Sequence, residues 1–337
     1  MSLEKTSSMD SVGLEVYCNS VKQLVDSEML SLLPTIAQMK AQKQIQYALN
    51  TIGKRLRPTL VILCGESVGG KREKLRKLAL AFELLHLATL VHDDILDEDL
   101  FRRNALSVYA KWNVKNAILV GDVLASLSLS LCKNYKRKII EVMIDTCVQL
   151  SDGEFSDVAL ARVELNEKDY FEKVKKKCAA LFAAACQCGA LAAGGSKREA
   201  ETLRHFGENY GIAYQIRDDI SDAEASDSDL QPNIHRFRAT LPIIHAFESA
   251  SGPQQTRLTS LLSMKTQDGL RDFLDETKSY FQNGSLDYCA ERLDEYADKA
   301  TDSLAPLKES VFKGYLVEML ENLRVSRSRI TSSFQTT

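Results

Sequence analysis

Two identically spaced groups of aspartates are the residues in this sequence best suited to chemistry. The first is the run DDILD at 93–97, and the second is the run DDISD at 218–222. Residues four apart in a helix lie about 40° apart around its axis, so the outer aspartates of each run project from one face. Carboxylates paired in this way suit hard divalent cations, Mg²⁺ above all, that are shared with phosphate oxygens.

A single acidic run is more often a solvated helix end than a metal site. Here each run directly follows an apolar stretch, AFELLHLATLVH or YGIAYQIR, and the same spacing occurs twice. Two helices of a bundle can bring both runs to face one cavity. A di-iron bundle is the competing metal site, but it needs Glu-x-x-His on two helices, and only Glu83-Leu84-Leu85-His86 supplies one.

Basic residues accompany the acidic runs. GKRLRP at 53–58 places three cations before a helix start marked by Pro58, and Arg102-Arg103 follows the first acidic run closely. Each cluster alone is more often a surface patch. Beside carboxylate-bound metal, however, Lys and Arg side chains suit a second anion.

The elements that position these residues are predicted to be helices. Six prolines and sixteen glycines are few for this length, and they fall mostly between stretches with apolar residues at i, i+3, i+4 and i+7. No convincing alternating strand appears. Long helices are expected over roughly 13–49, 58–68, 73–97, 114–133, 135–162, 167–193 and 198–222, and shorter ones near 240–250, 255–263, 267–282, 285–304 and 307–327.

Composition narrows the class of protein. A net charge of −3 gives no basic field for general nucleic-acid binding. The eight cysteines lie scattered in apolar helical stretches, which indicates reduced thiols and a cytoplasmic protein, and Cys186-Gln187-Cys188 is expected to serve packing. We expect no signal peptide and no transmembrane segment. Without a repeat or a flexible linker, one domain over 1–337 is preferred to two.

Six motifs together resemble the polyprenyl synthetase family, the trans-type isoprenyl diphosphate synthases, in order and spacing over about residues 40–330. They are GKRLRP, FELLHLATLVHDDILDEDLFRRN, GDVLASLSL, KKCAALFAAA, YGIAYQIRDDISD and RATLP. The resemblance implies an all-α isoprenoid synthase fold of ten or more helices around a central cavity, usually as a homodimer. It also implies head-to-tail condensation of isopentenyl diphosphate with an allylic prenyl diphosphate, with three Mg²⁺ ions at each loaded site.

The resemblance assigns roles position by position. The expected metal residues are Asp93 and Asp97 with Asp94 in support, then Asp218 and Asp222 with Asp219 as a weaker ligand or a supporting partner. The residues expected to bind isopentenyl diphosphate are Lys54, Arg57, His86 and Arg103. Those expected near the allylic diphosphate and its reacting carbons are Arg102, Lys177 and Gln215.

Several positions depart from the family pattern. Asn104 stands where the family usually has Gly, Ile52 replaces the first Gly before Lys54, and Cys178 replaces the usual Thr after Lys177. The loop after Asp222 is shorter than usual and lacks the Gly-Lys of the family. Arg238 of RATLP stands in place of the family's second lysine, and Arg236 or His235 could replace the first. These changes put affinity or rate in question more than the reaction class.

Product length depends on the helix that descends from the first acidic run. Ala88 and Thr89, five and four residues before Asp93, are small, and in the family bulky aromatics here stop elongation early. Phe82, about 10 Å lower by helix rise, is a candidate for the floor of the tunnel, with core packing as the equal alternative. A product of C20 or longer is therefore predicted.

Two other functions share these features. A terpene cyclase or a head-to-head prenyl coupler can carry the same fold and Asp-rich motifs, but the second basic pocket argues against a cyclase. A non-catalytic regulatory subunit of a heteromeric synthase usually loses its Asp motifs, and both are complete here. Neither a nucleophilic side chain nor a protein base is obvious, so proton loss to the released diphosphate is expected, as the family implies.

Overall fold

The protein is described here by a computed structural model for residues 7–50, 53–103, 105–160, 166–224, 240–263, 272, 275–276, 280 and 284–324. Helices dominate these residues, so the predicted all-α class is confirmed. The helices are α1 Ser7–Leu30, α2 Leu33–Ile36, α3 Gln42–Leu49, α4 Leu56–Ser67, α5 Arg72–Leu96, α6 Val108–Lys111, α7 Val114–Cys132, α8 Arg137–Leu160, α9 Glu167–Val174, α10 Ala180–Ala193, α11 Lys197–Ala223, α12 Leu241–Ser249, α13 Gly252–Ser263, α14 Leu286–Ser303 and α15 Val311–Glu321.

The chain forms two compact units. The first takes its described residues from Met1–Val148, Leu181–Glu208 and Ala300–Asn322, and the second from Gln149–Ala180, Asn209–Lys299 and Leu323–Thr337. Whether the two units together form the single domain predicted over 1–337 depends on how they are joined, so that expectation stays a prediction.

The first unit is built around α5, which packs most extensively against α7 and next against α4. Phe82 of α5 and Phe206 of α11 are fully buried in this unit. The N-terminal helix α1 packs against α4 and α5, and its Tyr17 contacts Tyr315 of α15 with ring centroids 5.3 Å apart. Burial of these large side chains supplies the main stabilisation of the helical layer that carries the first acidic run.

In the second unit, α9 packs against α12. An aromatic row joins α9 to α14, because the Phe171 ring lies 5.2 Å from both the Tyr170 ring and the Tyr296 ring of α14. Tyr170 is almost fully buried. These contacts fix α9 against α14.

Side-chain caps mark several helix starts. Asn113 accepts a hydrogen bond from the Asn116 amide at the start of α7, and Asn166 does the same for the Asp169 amide at the start of α9. Ser310 caps α15 by accepting from the Lys313 amide. Each cap satisfies an amide that has no partner within its own helix.

One expectation about the elements was wrong, because the single helix predicted over 13–49 is divided into α1, α2 and α3. Pro34 lacks the amide hydrogen that a helix continuing from α1 would need, which explains the break between α1 and α2, and residues 37–41 separate α2 from α3. No alternating strand was expected, and the two strands present are only two residues long: β1 Phe101–Arg102 pairs antiparallel with β2 Ala105–Leu106. Pairs this short leave no alternation to detect.

Among the described helices, α7 alone is long and apolar enough to cross a membrane by length and composition. A core helix of a soluble protein passes the same test. One face of α7 packs against α5, and 28% of the most apolar 18-residue stretch of α7 is buried.

Candidate active site

The first acidic run lies at the C-terminal end of α5, in the first unit. Asp97 ends the helix, and its amide donates to the Asp93 carbonyl over 2.8 Å. Asp93 and Asp97 are half-buried, whereas Asp94 is only 3% exposed. Carboxylates at a helix C-terminus oppose the helix dipole, so three of them there favour a functional role over a stabilising one.

The middle aspartate of this run is held by an arginine. Arg102 donates to Asp94 through both Nε, over 2.7 Å, and Nη2, and it also reaches Asp99 over 3.3 Å. Asp99 is 1% exposed, so one guanidinium serves two buried carboxylates. Such a pairing is needed because an isolated buried charge is strongly unfavourable. Asp94 is therefore turned toward the β1–β2 hairpin, and Arg102 serves it directly.

The hairpin also brings Arg103 to the basic segment before α4. Arg103 has a positive φ of 51°, and a Cβ built on Gly53 would lie 2.5 Å from its Nη1. A side chain at position 53 would therefore displace the Arg103 guanidinium from this place. Lys54, the next residue, is exposed. Arg103 thus lies against the segment that carries Lys54, although the two residues are distant in sequence.

Arg57 and His86 complete this basic cluster. Nη1 of Arg57 lies 3.1 Å from Nε2 of His86, and its guanidinium lies 4.2 Å from the centroid of the Phe182 ring. The His86 ring is enclosed by protein atoms, and this burial lowers its pKa well below the usual value, with the positive charges of Arg57, Arg103, Arg102 and Arg55 as further causes. His86 is therefore neutral at pH 7, and the arginines carry the positive charge of the cluster.

The residues predicted to limit product length lie on α5, with Ala88 and Thr89 between His86 and Asp93 and Phe82 one turn before His86. Ala88 is 3% exposed and Phe82 is fully buried, while the Thr89 hydroxyl donates to the His86 carbonyl over 2.8 Å. Phe82 would be buried both as the floor of a tunnel and as a core residue, so its burial does not distinguish the two. The chain-length roles of Ala88, Thr89 and Phe82 stay predictions.

The second acidic run lies near the end of α11, in the second unit. Asp219 is 3% exposed and accepts three hydrogen bonds, from Tyr170 Oη over 2.7 Å, Gln215 Nε2 over 2.9 Å and the Leu241 amide over 3.0 Å. Burial raises the pKa of Asp219, and these three donors oppose that shift. The carboxylate therefore connects α9, α11 and the start of α12.

The outer aspartates of this run are more accessible. Asp218 is half-buried and Asp222 is exposed as a residue. The Asp222 carboxyl nevertheless lies among protein atoms, and this burial, together with the charge of Asp219, raises its pKa to about 6. A cation bound there would offset the charge that the protein leaves uncompensated.

Lys177 lies within a π-helical turn, Lys175–Ala179, between α9 and α10. The helix predicted over 167–193 thus contains an irregularity that the sequence did not show, and such turns often occur at functional sites. Lys177 forms an ion pair with Glu154 of α8 over 2.9 Å, also in the second unit. Cys178 Sγ lies 3.6 Å from the Gly211 carbonyl oxygen, so at this position the thiol faces α11.

The turn presses closely against α8. A Cβ built on Gly153 would lie 2.8 Å from the Lys177 amide nitrogen and 3.0 Å from the Lys176 Cβ. Backbone atoms cannot move aside as the end of a flexible side chain can. Gly153 therefore sets the distance at which the lysine-bearing turn lies from α8.

Several predicted positions cannot be placed. Arg238, His235 and Arg236, together with Ile52 and Asn104, lie outside the described residues. That both acidic runs face one cavity stays a prediction, because the runs belong to different units.

Sequence reasoning missed three residues that contact the predicted ones, Asp99, Glu154 and Tyr170, and a fourth, Arg55, that lies between Lys54 and Arg57 in the chain. Asp99 and Arg55 stood within quoted motifs, and their like-charged surroundings could have suggested internal ion pairs. Glu154 and Tyr170 had no local signal, because their partners are distant in sequence.

Comparisons with known proteins agree on one family. Residues 38–276 match the model of the family described as Polyprenyl synthetase. The chain is 30% identical to a short chain isoprenyl diphosphate synthase of Methanothermobacter thermautotrophicus, covering 86% of this chain and 91% of that protein. It is 31% identical to a geranylgeranyl diphosphate synthase of Methanosarcina mazei, with 88% and 93% covered.

A solved structure shares the fold. It is a polyprenyl synthase from Caulobacter crescentus CB15 complexed with calcium and isoprenyl diphosphate, with a TM-score of 0.80 and 27% identity, covering 92% of this chain and 94% of that one.

Proposed function

Because the chain belongs to the polyprenyl synthetase family, we propose that it transfers an allylic prenyl group from its diphosphate to isopentenyl diphosphate. The product is a trans-polyprenyl diphosphate one isoprene unit longer, and diphosphate is released. Repeated cycles build the chain to its final length.

One observation supports this proposal most directly. A single helix, α5, carries two chemically opposite groups: Asp93 and Asp97 at its end, and His86 about 10 Å earlier by helix rise. Arg57 and Arg103 surround His86 with positive charge. A carboxylate site and a separate anion site suit two diphosphate substrates. A cyclase acts on one diphosphate and has no need of the second site.

The side chains of the chain can each contribute to the reaction. Arg57 and Arg103 hold the diphosphate of isopentenyl diphosphate, and neutral His86 adds a hydrogen bond without adding charge. Lys177 stabilises the negative charge that develops on the departing allylic diphosphate. The allylic C–O bond breaks, and the double bond of isopentenyl diphosphate attacks the resulting carbocation. A proton then leaves the new C–C unit, most simply to the released diphosphate.

Gln215 is oriented by the second acidic run. Its amide nitrogen donates to Asp219, which leaves the amide oxygen as an acceptor. An oxygen of this kind can stabilise positive charge on the reacting carbons. This role suits the position of Gln215 one helical turn before Asp219.

The donor set fits Mg²⁺. Mg²⁺ is commonly held by one or two carboxylates together with substrate phosphates, and the outer aspartates of the two runs supply such pairs. Bound Mg²⁺ would neutralise diphosphate charge, and we expect three ions at the loaded site.

Purified chain incubated with isopentenyl diphosphate, farnesyl or geranylgeranyl diphosphate and Mg²⁺ tests the function. We expect prenyl transfer by the chain alone, its loss on chelation, and its return when Mg²⁺ is added. Asp93→Asn should lower kcat at least about 100-fold. Asp145→Asn, an exposed aspartate of α8, is the control. A chain that shows no turnover by itself but activates a partner synthase would replace this proposal with the regulatory one.

The product is C20 or longer. The geranylgeranyl diphosphate synthase relative supports this length, as do the small side chains at Ala88 and Thr89. Mass spectrometry of products across allylic primers measures it directly.

The active form is a homodimer that buries the outer face of α7. Val114, Ile118, Leu119 and Leu129 are 44%, 45%, 61% and 38% exposed, and Ile144 and Val148 of α8 add to the exposed apolar surface of the same unit. Apolar surface of this extent marks an interface with another protein. Ile118→Lys should yield monomers in sedimentation velocity, whereas Val16→Lys, on exposed α1, should not. Unchanged dimers in the first variant would move the interface elsewhere.

The location is cytoplasmic. The proposal rests on the eight cysteines, which are not joined in disulfides and which a reducing compartment keeps as thiols. Fractionation of cells that express the chain should recover it with the cytosol.

A further inference from the structure

A buried ion-pair network lies directly beneath the basic cluster. Arg55 is 6% exposed, and its Nη1 lies 2.5 Å from Oε1 of Glu83, which is 2% exposed. Its Nε and Nη2 each lie 3.1 Å from Oδ1 of Asp26, on α1. Three elements of the first unit therefore meet at one guanidinium: α1, the start of α4, and α5.

Arg55 also holds an unusual backbone conformation. It precedes α4 with φ 54° and ψ 35°, the left-handed region that side chains other than glycine rarely adopt. Its carbonyl accepts a hydrogen bond from the Thr59 hydroxyl over 2.9 Å. A conformation of this kind persists only where surrounding contacts enforce it, and the two carboxylates on the guanidinium do so here.

The ion-pair network and the anion site are neighbours along the same two chain segments. Arg55 lies between Lys54 and Arg57 in sequence, and Glu83 lies one helical turn before His86 on α5. Two neighbouring contacts therefore join the same two segments: Arg55 with Glu83, and Arg57 with His86. A change in the first contact must alter the geometry of the second.

From these contacts we infer that Asp26, Arg55 and Glu83 position the pocket for isopentenyl diphosphate. The ion pairs hold the left-handed turn at Arg55, and the turn fixes how Lys54 and Arg57 are presented to the diphosphate. This inference rests on the proposed function, and none of the three side chains needs to touch the substrate.

Asp26 makes the inference testable. It lies before residues 38–276, the segment that matches the family, and its side chain is 44% exposed, so its loss leaves the buried Arg55–Glu83 pair in place. The chain also offers a matched control. Glu28, two residues later on α1, forms an ion pair with Arg76 of α5 over 2.9 Å that has no contact with the turn.

The experiment compares Asp26→Asn with Glu28→Gln in steady-state kinetics. We expect Asp26→Asn to raise the KM for isopentenyl diphosphate about threefold to tenfold, the scale of one partly exposed ion pair that acts through a turn. The kcat and the KM for the allylic substrate should stay unchanged. Asp26→Glu, which keeps the charge, should recover most of the loss. Glu28→Gln should change none of these constants.

A second measurement separates positioning from stability. Each neutralising variant loses one α1 ion pair, so their melting temperatures should fall by similar small amounts. Calorimetric binding of isopentenyl diphosphate without an allylic substrate should weaken only for Asp26→Asn. If the two variants differ by less than twofold in both assays, Asp26 does not position the pocket. If the unaltered chain shows no prenyl transfer, the proposed function fails instead.

Discussion

Replacing Gly153 by alanine should displace the turn that carries Lys177. In the interior of a helix this replacement normally stabilises a protein by about 1 kcal/mol, because alanine has the higher helix propensity. At Gly153, however, the new methyl group would lie 2.8 Å from the Lys177 amide nitrogen and 3.0 Å from the Lys176 Cβ. Overpacking of this kind costs about 1–3 kcal/mol. The net effect on the free energy of unfolding is then a loss of roughly 0–2 kcal/mol.

Gly314 provides the matched control. It lies in the interior of α15, and a Cβ at this position would meet no atom within 4 Å. Gly314→Ala should therefore show the gain of about 1 kcal/mol without the cost. Urea denaturation should separate the two variants by about 1–3 kcal/mol, the overpacking term alone.

Kinetics test the functional part of this reasoning. If α8 and the turn move apart by a few tenths of an ångström or more, Lys177 and its partner Glu154 lose their alignment. We expect Gly153→Ala to raise the KM for the allylic diphosphate or lower kcat about tenfold or more, while Gly314→Ala matches the unaltered chain. Equal stability and equal kinetics in both variants would refute the idea that Gly153 sets the position of the turn.

Three further predictions concern single side chains. Ala88→Phe should shorten the product found by mass spectrometry, and an unchanged length would remove Ala88 from the tunnel. Tyr170→Phe deletes one of three donors to buried Asp219 and should lower the free energy of unfolding by about 1–3 kcal/mol in urea, whereas Tyr47→Phe, at an exposed hydrogen bond, should cost less. Burial lowers the pKa of His86, so below a pH of about 6.5 the unfolded chain binds a proton at this residue that the folded chain does not bind. The free energy of unfolding should therefore decrease as the pH is lowered through this range. His86→Gln should reduce that slope by up to about 1.4 kcal/mol per pH unit, and equal slopes would contradict a neutral His86.

Most helices that carry the site could be predicted from the sequence. The helix expected over 73–97 is α5, Arg72–Leu96, and the one expected over 198–222 is α11, Lys197–Ala223. Both are long and their apolar residues follow the helical period, which is the strongest local signal that a sequence contains. The positions of the acidic runs at the ends of these helices followed from the same pattern.

Contacts between distant residues could not be predicted in this way. Even the nearby ion pairs of Arg102 with Asp94 and Asp99 were not predicted, while the role of Arg102 at the allylic diphosphate stays a prediction. Tyr170 reaches Asp219 across 49 positions of the sequence. Which of several possible partners a charged or polar side chain meets depends on tertiary packing, and a motif gives only the residue types that are available. The π-helical turn is hidden for a related reason, because one extra residue hardly alters an apolar pattern over a long helix.

That turn also determines how this region tolerates changes in length. An α-helix rotates about 100° per residue, whereas a π-helical turn holds one extra residue within a single turn, so deleting one residue from Lys175–Ala179 would restore regular helix with little rotation of α9. An inserted residue would instead rotate α9 about its axis and point Tyr170 away from Asp219. This segment should therefore tolerate the loss of one residue better than the gain of one.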